Sequence, residues 1–279
     1  MFGGSYMKEG PGVSKDAPEK KRFFLFFELY FRKFWKMIEL NLLYVVFFIP
    51  AAVGAWMWLV GGANILCTLL MLISLVLYGP ATAAMTYVLR NYARQEHAFL
   101  FADFKDNFKS NFKQASIYGV FSAVVMILMS VAIWFYLGSA KDNKLMYVPL
   151  IIAMATFIIF LFMNFYMYTM IVTFDMKLPA MLKNAFIFAV IGVVPNLVSL
   201  LVVGGITVAL VLFFPISLLF VIVIALSTMC FVVTFNAYPR IEKHMIIPYM
   251  KEHEPEEKSE DEETVFSDER LIPKEEEGK

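Results

Sequence analysis

Hydrophobic positions along this chain fall into long blocks separated by short charged segments. Fifty consecutive residues from Leu40 to Leu89 carry no charge, and further uncharged runs cover Gln114–Ala140, Leu145–Phe174 and Asn184–Pro239. A helix that crosses a bilayer needs roughly 20 apolar residues, so each run holds one or two spans. "GGAN" at Gly61–Asn64 and a turn near Pro215 divide the two longest runs. The pattern predicts an all-α fold, a polytopic membrane helical bundle of about six transmembrane helices. Their expected positions are near 40–60, 63–90, 114–137, 146–174, 184–212 and 216–238.

Two stretches outside the runs are amphipathic. Residues 16–40 read "DAPEKKRFFLFFELYFRKFWKMIEL". Asp16 with Glu19 three residues on resembles a capping box, with Pro18 in the first turn. Glu28, Arg32, Lys36 and Glu39 fall on one helical stripe, and phenylalanine and leucine fill much of the rest. Such a helix is expected in the bilayer interface, with Trp35 at headgroup level and Lys20, Lys21 and Arg22 facing anionic lipid. The plainer alternative is an extension of the first span. In "ADFKDNFKSNFKQ", Phe104, Phe108 and Phe112 share a face, and Lys105, Lys109 and Lys113 form the adjacent stripe. The spacing fits a membrane-surface or bundle-packing helix, and equally a helix docked on a partner.

Charge adds orientation. Lys and Arg number 22 in residues 1–38, 90–113, 175–183 and the C-terminal region, against 2 in the alternate loops, Lys141 and Lys144. The positive-inside bias places both termini in the cytoplasm of a multi-pass plasma-membrane protein. The first 38 residues are too charged for a secretory signal, so insertion is expected to rely on the first span. Residues 251–279 carry 13 acids and 5 bases, an acidic tail hung from a basic body. Three regions result: a cytoplasmic N-terminal segment with an interfacial helix (1–38), a six-helix transmembrane domain (39–240), and an acidic tail expected to be largely disordered (241–279). Only 17% of residues are charged and 60% are hydrophobic. That composition lies far from the soluble average of about 25% charged. Cys67 and Cys230 sit in separate apolar runs, which fits small core residues better than a disulfide or a zinc site.

No chemistry is written into the chain. The three histidines, His97, His244 and His253, lie at or beyond the span ends. No metalloprotease, dithiol, nucleotide-loop or nucleophile-elbow motif occurs. His97 near Glu96 and Asp103 reads as a surface histidine. The expectation is no enzyme, no catalytic residue, no cofactor and no metal. The predicted spans hold no ionisable Asp, Glu, Lys, Arg or His, which argues against a proton relay. They do hold polar groups and helix breakers. Asn164 and Tyr168 share a face with Asp175. Pro195 would free a carbonyl near Asn196 and Ser199, and Gly79-Pro80 precedes Thr82 and Thr86. These residues can line a midplane polar pocket, with Asn164, Tyr168, Pro195, Asn196, Gly79 and Pro80 as its candidates. They can also serve helix packing, for which Gly79 and Ala83 have small-xxx-small spacing and Pro80 a kink. Arg90 and Arg94 mark the membrane boundary. Met163, Met167 and Met170 read as adaptable core.

The pieces "GPGVSKDAPEKKRFFLFF", "NLLYVVFFIP", "GPATAAMTYVLRNYARQEHAFLFADF", "LKNAFIFAV" and "VFSDERLIP" resemble the YesL-like family of bacterial integral membrane proteins of unknown function. That family offers no catalytic motif to carry over. Its members are often encoded beside ABC-type carbohydrate importers. The resemblance therefore implies an accessory or regulatory component associated with bacterial carbohydrate uptake, with an ABC-type sugar importer or a membrane sensor as partner, besides the lipid bilayer. The alternative is a small-solute permease with a midplane pocket between kinked helices. Nucleic acid is not an expected partner, and the residues leave the oligomeric state open.

Overall fold

A computed structural model describes residues 21–252 of the chain. The chain divides into two units, Met1–Tyr238 and Pro239–Lys279. All regular structure among the described residues is helical. The first unit holds α1 (Arg22–Arg32), α2 (Phe34–Val45), α3 (Ile49–Gly61), α4 (Ile65–Ala93), α5 (Leu100–Ser110), α6 (Phe112–Ser139), α7 (Tyr147–Ile171), α8 (Leu178–Ile191), α9 (Val193–Leu212) and α10 (Leu218–Phe220). A π-helical stretch, Val221–Ala225, leads into α11 (Leu226–Ile241). In the second unit the chain continues as a π-helical stretch, Glu242–Ile246, and α12 (Ile247–Glu252). The Asp16–Glu19 capping box and residues 253–279 of the expected 241–279 tail lie outside the described residues; the first twelve residues of that tail, 241–252, are helical.

Six helical segments are long and apolar enough to cross a membrane: Phe34–Gly61, Ile65–Ala93, Phe112–Ser139, Lys144–Ile171, Val193–Leu212 and Leu218–Glu252. Their outward surface is as apolar as their contacts: Leu59, Ile65 and Trp134 are 76%, 80% and 77% exposed. In water such a belt would drive aggregation; in a bilayer the acyl chains cover it.

Local chemistry sets the ends. The turn between α3 and α4 passes through Gly62 at φ 78°, and Asn64 caps α4 by accepting from the Cys67 N–H at 3.0 Å. α4 runs unbroken through Pro80 and ends in a Schellman-type turn. There Gln95 takes φ 62°, and the Glu96 N–H reaches back to the Asn91 carbonyl at 2.8 Å.

The fifth expected span is not one helix. The run expected as 184–212 is broken at Gly192 into α8 and α9, and α8 begins earlier, at Leu178, with Pro179 in its first turn. The break has a packing cause. A Cβ on residue 192 would stand 2.6 Å from the Tyr166 hydroxyl and 2.7 Å from the Phe188 carbonyl. Pro195 therefore sits in the first turn of α9, where its missing N–H costs no helix bond. It does not kink a continuous span.

The basic segments meet at one end of the first unit. Arg22 donates to the Phe235 carbonyl at 2.8 Å, Lys33 lies over the Tyr92 ring, Arg94 lies over the Tyr238 ring, and Gln114 donates to the Met176 carbonyl at 2.6 Å. The buried cluster at this end joins α1, α2, α4, α5 and α11 through Leu29, Met37, Leu40, Val88, Phe104 and Phe231.

Candidate functional site

The centre of the bundle is built on a close crossing of α4 and α6. A Cβ on Gly79 would fall on the Ala115 carbonyl, and one on Gly119 would stand 2.8 Å from the Gly79 Cα. Backbones approach this closely only where side chains are absent. The predicted small-residue stripe on α4 thus has a matching stripe on α6, Ala115 and Gly119. Pro80 is buried within α4 beside this crossing.

Next to the crossing, α6 and α7 are joined by a polar clamp. The Tyr118 hydroxyl and the Ser122 hydroxyl both donate to Asn164 Oδ1, at 2.8 and 2.6 Å. One Asn164 amide hydrogen goes to the Phe160 carbonyl at 2.8 Å. Tyr168, one turn on, packs edge-on against Tyr118 and Tyr78 with ring centroids 5.4 and 6.3 Å apart. Its hydroxyl is fully buried, beside the Tyr78 hydroxyl.

A cavity of about 550 Å³ opens beside this clamp, between α2, α4, α7, α9 and the segment from Val221 through α11. That size is typical of small-molecule sites. Tyr44, Tyr78, Thr82, Thr86, Asn164, Tyr168, Thr169, Cys230 and Thr234 supply its polar wall; phenylalanine, methionine, valine and leucine supply the rest. The six pocket candidates are divided by the fold. Asn164 and Tyr168 line the cavity; Gly79, Pro80, Pro195 and Asn196 do not. Gly79 and Pro80 belong to the α4–α6 crossing. Asn196 repairs the α8–α9 break: its amide donates to the Phe188 and Ala189 carbonyls, both at 3.2 Å, and Tyr166 donates to its Oδ1 at 2.6 Å.

Two residues do more than their sequence positions suggested. Asn41 is fully buried and bridges to the π-helical stretch. Its amide donates to the Val221 and Ile222 carbonyls at 2.9 and 2.7 Å, and it accepts from the Ser227 N–H at 2.8 Å. A π turn shifts the backbone register and strands carbonyls, and one asparagine answers both sides of the fault. The only signal in the sequence is an amide directly after Leu40, at the start of the apolar run. Arg90, read as a boundary marker, is buried. Its guanidinium donates to the Val172 carbonyl at 2.7 Å and the Thr173 hydroxyl at 2.9 Å. It thereby ties α4 to the C-terminal end of α7, where the helix dipole favours a cation.

The α5 helix splits its two stripes. Phe104 is buried and Phe108 half-buried, and both stack on Phe47 at 5.9 and 4.9 Å. The stripes do not stay on one helix: α5 ends at Ser110, and Phe112 and Lys113 begin α6; both are exposed, as are Lys105 and Lys109. In α1, Phe26 and Tyr30 pack on Phe231, while Phe23, Phe24 and Phe31, and Trp35 at the start of α2, stay exposed. His97 is exposed against Phe99. Both cysteines are free thiols.

The architecture is that of an all-helical protein whose six apolar helices suit a multi-pass membrane protein. Residues 37–133, from α2 into α6, match a family model described as "Protein of unknown function, DUF624". The matched stretch contains Asn41, the Gly79–Gly119 crossing and Arg90, and excludes Asn164 and Asn196. Neither the curated proteins nor the solved structures gave a match.

Proposed function

We propose that this protein is a non-catalytic accessory or regulatory component of bacterial carbohydrate uptake. It sits in the plasma membrane with both termini cytoplasmic and acts beside an ABC-type sugar importer or a membrane sensor. The observation that carries this reading is the divided α5 helix. Its Phe104–Phe108 side is occupied inside the bundle, which leaves Lys105 and Lys109 of α5, and Lys113 in the first turn of α6, exposed as a basic stripe. An exposed row of like charges favours an acidic partner surface through electrostatic complementarity. Pull-down of the full chain from membranes with quantitative proteomics tests the reading. Recovery of an importer or sensor subunit that is lost when the three lysines become glutamate supports it. Recovery of no such subunit above a control membrane protein of similar size contradicts it.

The cavity favours a second reading, a small-solute permease whose pocket includes Asn164 and Tyr168. Solute flux into proteoliposomes that is abolished by filling the cavity would support this reading; absence of flux for sugars, polyols and small alcohols alike would oppose it.

A further inference from the structure

We infer that the central cavity is a binding site for a small, uncharged, mainly apolar molecule carrying one or two hydrogen-bonding groups, such as a medium-chain alcohol, and not for a sugar or an ion. The inference rests on the permease reading only in taking the cavity to admit a solute.

Charge decides first. None of the side chains lining the cavity is ionised at neutral pH. An ion placed there would lose its hydration with no counter-charge in the wall, which excludes charged solutes.

Hydrogen-bond capacity decides next. Most polar groups of the wall already serve the chain. Thr82, Thr86 and Thr234 donate to the carbonyls four residues earlier, Tyr78, Thr82 and Cys230, at 2.7 to 2.8 Å. The Tyr44 hydroxyl pairs with Thr82 Oγ1 at 2.8 Å. Asn164 Oδ1 already accepts two bonds. What remains for a guest is one Asn164 amide hydrogen, the Thr169 hydroxyl and free lone pairs on the other threonine oxygens. A sugar brings a hydroxyl on nearly every carbon and would leave most of them unmatched. A molecule with one hydroxyl and an alkyl or aromatic body finds a partner for its polar end. The rest of it meets Phe48, Phe165, Met85, Met229 and Val203.

The test uses the full chain in nanodiscs of zwitterionic lipid and a diazirine-bearing octanol as photolabel, with labelled residues mapped by mass spectrometry. The expected result is label on Met229 and Tyr168 that is lost with excess unlabelled octanol and kept with excess octanoate or sorbitol. Val203→Trp from α9 and Met229→Trp from the opposite wall fill the same space, and each is expected to lose the remaining cavity label while eluting as a monodisperse species. If both variants misfold, the competition arms on the unmodified chain still decide. Protection by sorbitol equal to that by octanol overturns the class of ligand but leaves the solute-pocket reading standing; protection by octanoate does the same. Label confined to outward residues such as Leu197 and Ile222 overturns both. A bilayer phospholipid could supply the same chemistry. A retained phospholipid in native mass spectra that blocks the label would also overturn the inference.

Discussion

α4 and α9 are both long, apolar and free of charge along most of their length, yet they are held by opposite means. α4 buries fifteen of its residues, and its middle meets α6 backbone to backbone at Gly79. α9 buries two, Asn196 and Ser199, and both are polar. Asn196 bonds back to the end of α8 and to Tyr166; Ser199 receives the Asn236 amide at 3.0 Å. Gly204 and Gly205, in the middle of α9, face open space. In lipid the hydrophobic effect does not press helices together, because acyl chains are as apolar as leucine. Close van der Waals contact and interhelical hydrogen bonds are then the remaining means. α4 uses mostly the first and α9 mostly the second. The cavity lies where the second kind of attachment meets the first.

The contrast is broken most forcefully with one pair of substitutions. Gly79→Leu drives a side chain into the Ala115 carbonyl and should cost about 3 kcal/mol or more, seen as loss of the folded species in denaturant titration in detergent. Gly204→Leu meets nothing within 4 Å and should stay within about 0.5 kcal/mol of the parent. Similar losses for both would erase the distinction between the two helices.

Asn41→Leu comes next. It leaves two carbonyls of the π-helical stretch and the Ser227 N–H without their partner. The expected loss is about 2 kcal/mol, in the same titration. A neutral outcome would mean that the π stretch re-forms as α-helix.

Asn196→Ala sharpens the account of α9. It should cost only about 1 kcal/mol globally. Spin labels on α9 and α7 should nonetheless report a broader distance distribution, because one of the two buried pins is gone. The same substitution logic applied to α4, Thr86→Val, should leave the α4–α6 distance distribution unchanged. The smallest effect is a gain. Gln95→Gly relieves a left-handed residue at the end of α4 and should add about 0.5 kcal/mol.

Much of this was legible in the sequence because the bilayer imposes a length and a polarity on each span. The apolar blocks marked six segments, and Gly61–Asn64 marked the first turn. Gly79 announced a close approach, although its partner Gly119 lay in a run with no outward sign of pairing. The break at Gly192 was hidden because the run from Asn184 to Pro239 shows no change of polarity there. What fixes it is a contact with Tyr166, 26 positions earlier in the chain. Asn41 was equally silent, since its partners are backbone atoms of a π turn about 180 residues away, and no local pattern encodes a π turn. The pocket candidates illustrate the same limit. Polarity and helix breakers picked out six residues, but only tertiary placement separates Asn164 and Tyr168, which line a cavity, from Asn196, whose hydrogen bonds close a gap. The phenylalanine stripe of α5 was readable as amphipathic, and only the position of Phe47 shows that the bundle takes up Phe104 and Phe108.

The central claim is that the bundle is closed at the α3–α4 and α4–α6 contacts and open to small uncharged molecules in the cavity between α4, α7, α9 and α11. The two cysteines report it directly, since Cys230 lines the cavity and Cys67 is buried against α3. Methylmercury chloride, an uncharged thiol reagent, is added to Cys67→Ala and to Cys230→Ala in nanodiscs, and uptake is followed by intact mass. Rapid modification of Cys230, slowed by octanol, with Cys67 left unmodified on the same timescale, is the predicted result. Equal protection of the two thiols, or faster modification of Cys67, would contradict the account.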